Sequence, residues 1–339
     1  MAEDHFVIIG NGPAGNQAAF TLREKAPESR ITIISREHGP CYKPYLIPEF
    51  IGGNADENSL FENSFAYYKN MGIKLRSCQE AENIDISSKK ILLGHRELIS
   101  YTGLIIAVGG TPRIPVPLLK YKDHLLTLKT IGDAMCWIKK LSSVETVLII
   151  GGDLTSFAVT RTLLCLNKKV YFILDDSALW PLRPDDTLRD EIGRCLVKQG
   201  VQLLDRLKIL NITKPTDQDF IVKTDSEIIE AGLIGAFFGL TPDVQFLSQT
   251  GLSLDRGILV DEYLNTGFEG VYATGDCAQV YHPELSDYWV SIGHNNAVSL
   301  GRIAALNLIG DKVAVEKPKE SIYELQDIKV NSSWWMDYL

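Results

Sequence analysis

Two stretches of the chain share one pattern of apolar and polar positions. Each opens on an unbroken apolar run, passes through a glycine-containing turn, continues with apolar residues at helical spacing, and ends on a second apolar run. The first reads FVIIGNGPAGNQAAFTLREKAPESRITIIS, from Phe6 to Ser35, and the second TVLIIGGDLTSFAVTRTLLCLNKKVYFIL, from Thr146 to Leu174. Short apolar runs without alternation are the mark of strands buried on both faces. The first stretch predicts a strand over Phe6–Ile9, a helix over Asn16–Lys25 and a strand over Ile31–Ile34. The second predicts a strand over Val147–Ile150, a helix over Ser156–Leu166 and a strand over Val170–Leu174. Two βαβ units about 140 residues apart indicate an internal structural duplication, with parallel sheets flanked by helices.

The turns differ. Gly10, Gly12 and Gly15, with Pro13 and Ala14 between them, form an intact G-x-G-x-x-G. Gly10 permits the tight turn, Gly12 lets backbone approach a pyrophosphate, and Gly15 lets the helix pack on the strand. The helix N-terminus then presents free N–H groups and its positive dipole end to the phosphates. The second turn keeps Gly151 and Gly152 but carries Asp153 and Ser156 at the other two positions. A carboxylate there is expected to crowd and repel a pyrophosphate, at a cost of about a kcal/mol or more. Asp175 or Asp176, after the following strand, would accept an adenosine ribose and disfavour a 2′-phosphate. Strand, helix and acid point to NADH, while the turn points to a weakened site.

Composition removes several alternatives. The net charge of −9 argues against nucleic acid or an anionic membrane as partner. No apolar run approaches a bilayer-spanning length, and MAEDHF is not expected to open a signal peptide. The six cysteines, at 41, 78, 136, 165, 195 and 277, form no C-x-x-C pair, so no metal site is expected. Reduced, buried thiols in a cytoplasmic protein are the expectation.

Further motifs lie in a fixed order: LIIAVGGTPRIP (Leu104–Pro115), GILVDEYLNTGFEGVYATGDCAQ (Gly257–Gln279) and NNAVSLGRIAALNLIG (Asn295–Gly310). With the Gly10–Gly15 turn they resemble the FAD-dependent pyridine nucleotide–disulfide oxidoreductase superfamily over residues 5 to 310. Within it, the likeness is strongest to the rubredoxin reductase, nitrite reductase and NADH oxidase group. The resemblance implies an α/β fold of two Rossmann-like domains. The FAD domain would be discontinuous, 1–112 and 244–312, with an NAD(P)H-like domain inserted at 113–243 and a short tail at 313–339. It implies that Asp276, after the sharp turn that Gly275 permits, accepts hydrogen bonds from the flavin's ribityl hydroxyls, that Ala81 contacts the adenine with backbone, and that Ala107, Val108 and Gly109 pass the cofactor with backbone groups. Asn296 and Ala297 would face the flavin at a helix start. Lys43 and Pro44, in GPCYKPYLIPEFIGG, match the stretch that lies against the flavin, where a lysine steadies the charge of the reduced ring.

The sequence also departs from that pattern. Arg36 occupies the place of the acid that binds the adenosine ribose, and Glu37 follows it. Either Glu37 takes over or the ribose is held differently. Arg113 is either a phosphate or flavin contact or a solvated loop residue. His294 stands where relatives place tryptophan, and either bonds a flavin carbonyl or packs. Tyr45 falls where disulfide-reducing members carry a redox cysteine, and Cys41 reads as a packing residue. Relatives continue into a C-terminal domain that makes their dimer, so homodimerisation is not assured, and Trp334, Trp335 and Tyr338 are expected to dock on this chain or on a partner. The reading is an FAD-dependent electron-transfer oxidoreductase, from NADH to a small iron–sulfur or other redox protein. The alternative is a flavoprotein subunit of a redox complex with a degenerate NAD(P)H site.

Overall fold

The computed structural model describes residues 4–179, 185–215, 219–284, 286–290, 293–316, 321–325 and 328–332. Trp334, Trp335 and Tyr338 lie outside them.

Both apolar–turn–helix stretches fold as expected, with element ends shifted by a few residues. In the first, the strands are His5–Ile9 and Arg30–Ile34, joined by the Pro13–Lys25 helix. That helix starts three residues before the expected Asn16 because Pro13 serves as its first residue, where a missing N–H costs nothing. In the second, the strands are Thr146–Gly151 and Lys169–Leu174 around the Leu154–Cys165 helix.

Each pair seeds a parallel sheet. The first runs in the order Val271–Ala273, Gly103–Ile106, His5–Ile9, Arg30–Ile34, Ile73–Arg76. The second runs Gln202–Asp205, Lys169–Leu174, Thr146–Gly151, Leu233–Phe237. In both, chain order reverses beside the first strand of the unit, which opens a crevice at the strands' carboxyl ends.

The apolar runs are continuous because both sheet faces are covered. In the second sheet Val147 and Ile149 pack with Trp137, Val159 and Leu163. Leu148 and Ile150 point the other way, into Phe220, Val222 and Ile229 of an antiparallel layer over residues 209–231. On the first sheet the Pro13–Lys25 helix packs against His294–Leu308 so closely that a Cβ at Gly301 would overlap the Ala14 carbonyl. An antiparallel pair, Gly110–Pro112 with Leu240–Pro242, joins the two passages between the sheets. Among the described residues no helix is long and apolar enough to cross a membrane.

Candidate functional site

A cleft of about 620 Å3 opens at the carboxyl ends of the first sheet. Its wall begins at the Gly10–Gly12 turn. Gly10 has φ +106°, and a Cβ there would overlap the Ala107 carbonyl oxygen, so glycine is required where the two neighbouring strands end. Gly15 packs its backbone on the Gly10 carbonyl. Gly12 is different: nothing lies within 4 Å of where its Cβ would be. It is the N-cap residue of the Pro13–Lys25 helix and supplies no side-chain cap. The helix therefore begins with open amides facing unfilled space, the arrangement that suits a phosphate.

Most of the expected cofactor residues come together here. Gly10, Gly12, Pro13, Ala14, Arg36, Glu37, Pro44, Ala81, Ala107, Val108, Gly109, Gly275, Asp276 and Ala297 all line the cleft. Gly275 takes φ +74°, which turns the chain after the Val271–Ala273 strand. Asp276 is recessed at the cleft wall; burial raises its pKa and the Lys129 ammonium opposes that rise. Arg36 pairs with Asp243 at 2.6 Å, so the cation at the ribose position is neutralised from across the cleft. Glu37 accepts a 2.8 Å hydrogen bond from the Tyr42 hydroxyl.

Other expected residues do not line it. Arg113 is not among the residues that line the cleft. Its Nε donates to the Phe238 carbonyl and its Nη2 to the Ser177 carbonyl, each at 2.9 Å. These carbonyls follow strands of the second sheet. Lys43 lies between the lining residues Tyr42 and Pro44. His294 opens the His294–Leu308 helix, with Nε2 3.8 Å from Glu62 and its ring edge-on to Tyr45 at 5.3 Å. Asn296 lies in the same first turn. Tyr45, at the expected redox-cysteine position, is 59% exposed. Cys41 is buried with its thiol pKa pushed up, first by desolvation and then by Glu62 and Glu37, which fits packing and not redox chemistry.

Several lining residues have no counterpart in the sequence reading, among them Asn11, Gln79, Lys129 and Thr274. Asn11 Nδ2, Gln79 Oε1 and Thr274 Oγ1 are buried and make no hydrogen bond within the protein. Orphaned polar atoms around an apolar-walled cleft are what a polar cofactor leaves unsatisfied when absent. Together with the open amides and Asp276, they fit the diphosphate and polyhydroxyl chain of FAD. The signal for Lys129 was local: it precedes Thr130-x-x-Asp133, a capping box that starts the Ile131–Leu141 helix beside the cleft.

The second turn looks similar in backbone and opposite in chemistry. Gly151 has φ +133°, and a Cβ would overlap the Phe237 carbonyl, as at Gly10. Asp153, however, is the N-cap of the Leu154–Cys165 helix, and its carboxylate accepts from the Ser156 N–H at 2.9 Å and the Gly239 N–H at 2.8 Å. Its recess raises its pKa, while those donors and Arg113 lower it. Gly152 lies under the buried Leu179 side chain. One Asp175 oxygen closes its own turn onto Ser177, and Asp176 pairs with Arg189.

Two parallel sheets, each with a nucleotide-type turn, define a protein built on paired dinucleotide-binding folds. The family profile described as pyridine nucleotide-disulphide oxidoreductase matches residues 4–295, and the chain belongs to that family. It is similar to putidaredoxin reductase of Pseudomonas putida, 28% identical over 322 residues that cover 91% of this chain and 75% of that protein. NADH-rubredoxin oxidoreductase of Clostridium acetobutylicum is 28% identical over 316 residues, 92% of this chain and 76% of that one. The fold matches a ferredoxin reductase from Rhodopseudomonas palustris at a TM-score of 0.87 and 23% identity, over 95% of this chain and 80% of that one.

Proposed function

We propose that this chain is an FAD-dependent electron-transfer oxidoreductase that carries reducing equivalents from NADH to a small iron–sulfur or other redox protein. The observation that carries it is the open cleft at the uncapped Pro13–Lys25 helix, with its orphaned polar atoms and recessed Asp276. The names of the relatives, which include NADH, rubredoxin and putidaredoxin, support donor and acceptor. When bound, the flavin supplies two-electron uptake and one-electron release. The chain's part is to hold it. Gly12 and the helix amides would take the diphosphate and Asp276 the ribityl hydroxyls, while Lys43, between the lining residues Tyr42 and Pro44, and His294, three residues before the lining Ala297, stand next to the place of the ring. Tyr45 in place of a cysteine supports direct electron transfer over disulfide reduction. In this reading the cofactor domain comprises 1–112 and 244–312, with the second fold inserted at 113–243. A cytoplasmic location is part of it, supported by six free thiols.

The capped second turn favours a second reading, a flavoprotein subunit that receives electrons from a partner. Anaerobic mixing separates the two. Bleaching of the flavin by NADH supports the first. Bleaching by dithionite alone supports the second.

A further inference from the structure

We infer that the Asp153 carboxylate is an internal occupant of the pyrophosphate position in the second nucleotide fold, so that a nicotinamide dinucleotide binds there only in competition with it. The inference rests on the reading of NADH as donor for the class of ligand, and on the geometry of this chain for the competition.

The two turns provide the comparison within one molecule. Gly10 and Gly151 play the same part: each has positive φ, and each abuts a carbonyl at the end of a neighbouring strand. Two positions on, the turns diverge. Gly12 leaves the helix start open, with no side-chain cap. Asp153 fills it, with one oxygen on the helix amide of Ser156 and the other on the Gly239 amide beyond the Leu233–Phe237 strand. An oxyanion that accepts from a helix-start amide and a strand-end amide makes the contacts a bound phosphate would make.

The surroundings hold it there. Arg113 ties the chain after Lys169–Leu174 to the chain after Leu233–Phe237, through the Ser177 and Phe238 carbonyls, and its charge favours the ionised Asp153. A dinucleotide must displace the carboxylate from two amides, and must do so against its charge. Leu179 also lies over Gly152, but Asp175 commits only one oxygen to its own turn, and Gly151 keeps its backbone against the Phe237 carbonyl. The charged part of the obstacle is concentrated in the Asp153 side chain.

The test is calorimetric titration of NAD+ into the flavin-loaded protein, for the unaltered chain, Asp153→Gly and Asp153→Ser. The serine variant keeps a capping oxygen and guards against loss of fold in the glycine variant. Both are expected to bind NAD+ at least about tenfold more tightly than the unaltered chain. Unchanged affinity in a folded variant, or no binding by either variant, overturns the inference. Failure of NADH to bleach the unaltered protein would instead overturn the donor reading. Calorimetry does not depend on electron transfer, so the two failures are distinguishable.

Discussion

Gly12→Asp copies the second turn into the first. Gly12 has φ −75° and ψ −177°, an extended conformation open to any residue, and its Cβ would meet nothing within 4 Å. Aspartate is among the best N-cap residues and glycine somewhat poorer, so the cofactor-free fold should keep its stability or gain a few tenths of a kcal/mol. Cofactor binding should behave very differently. A carboxylate about 4 Å from a phosphate charge costs about 4 kcal/mol at an effective dielectric of about 20. Solvent screening at the cleft mouth reduces this to about 2–4 kcal/mol, or roughly 30- to 900-fold in FAD affinity. The assay has two parts: the flavin-to-protein ratio after purification, with FAD titrated into the stripped protein, and the thermal midpoint of the stripped forms. Gly12→Ser, a cap without charge, should lose less affinity than the aspartate. Full flavin content in Gly12→Asp, with affinity within about threefold of the parent, would refute the reasoning. So would a large drop in the midpoint of the stripped form, which would expose a steric role for Gly12.

Three further outcomes follow from the site and its supports. Cys78, Cys136 and Cys165 are exposed, whereas Cys41 and Cys277 are buried with raised pKa values, that of Cys277 up to about 11 through desolvation. A thiol reagent at neutral pH should label the first three in the native protein and reach Cys41 and Cys277 only after unfolding, as mass spectrometry of labelled peptides will report. Lys129→Met removes the charge that opposes the rise in the Asp276 pKa, so the midpoint for acid release of flavin should move to higher pH, and coincident release curves would contradict this. Arg189 holds the Asp205 carboxyl below its ordinary range, through hydrogen bonds at Nη2 and Nη1. The stability this provides is present above about pH 4 and is lost as pH falls through the lowered pKa, so thermal midpoints measured down the acid limb should fall less steeply in Asp205→Asn.

What could be read from the sequence was local. The strand runs, the helical spacing and the glycine spacing of the Gly10 turn are each written within about 30 residues, and they fold where expected. So does the packing role of Cys41. What could not be read depends on distant chain. Arg113 bonds a carbonyl 125 residues away, and Arg36 meets Asp243, pairings that no spacing records. Gln79 and Thr274 reach the cleft only because separate strands end beside one another. The antiparallel strands Phe220–Thr224 and Ile228–Ala231 alternate in burial, yet the sequence hides it, because apolar Ile221 and Ile228 stand on the outward positions. Asp153 is the instructive case. Beside a ligand it reads as a repelling charge, while D-x-x-S at a helix start also encodes an N-cap.

The strand order of the first sheet also sets an order of assembly during synthesis. Gly103–Ile106 needs Val271–Ala273 as its neighbour, and Ala14 needs Gly301, so the N-terminal strands wait for roughly 170 further residues. At ordinary translation rates of about 5–20 residues per second, that delay is roughly 10–35 s. The sheet built from Thr146–Gly151 to Leu233–Phe237 needs only the intervening chain and is finished while the first is still short of an edge. On the ribosome the middle of this protein matures before its beginning. The apolar run Gly103–Ile106 spends the interval as an unpaired sheet edge, open to pairing with another chain until Val271–Ala273 arrives.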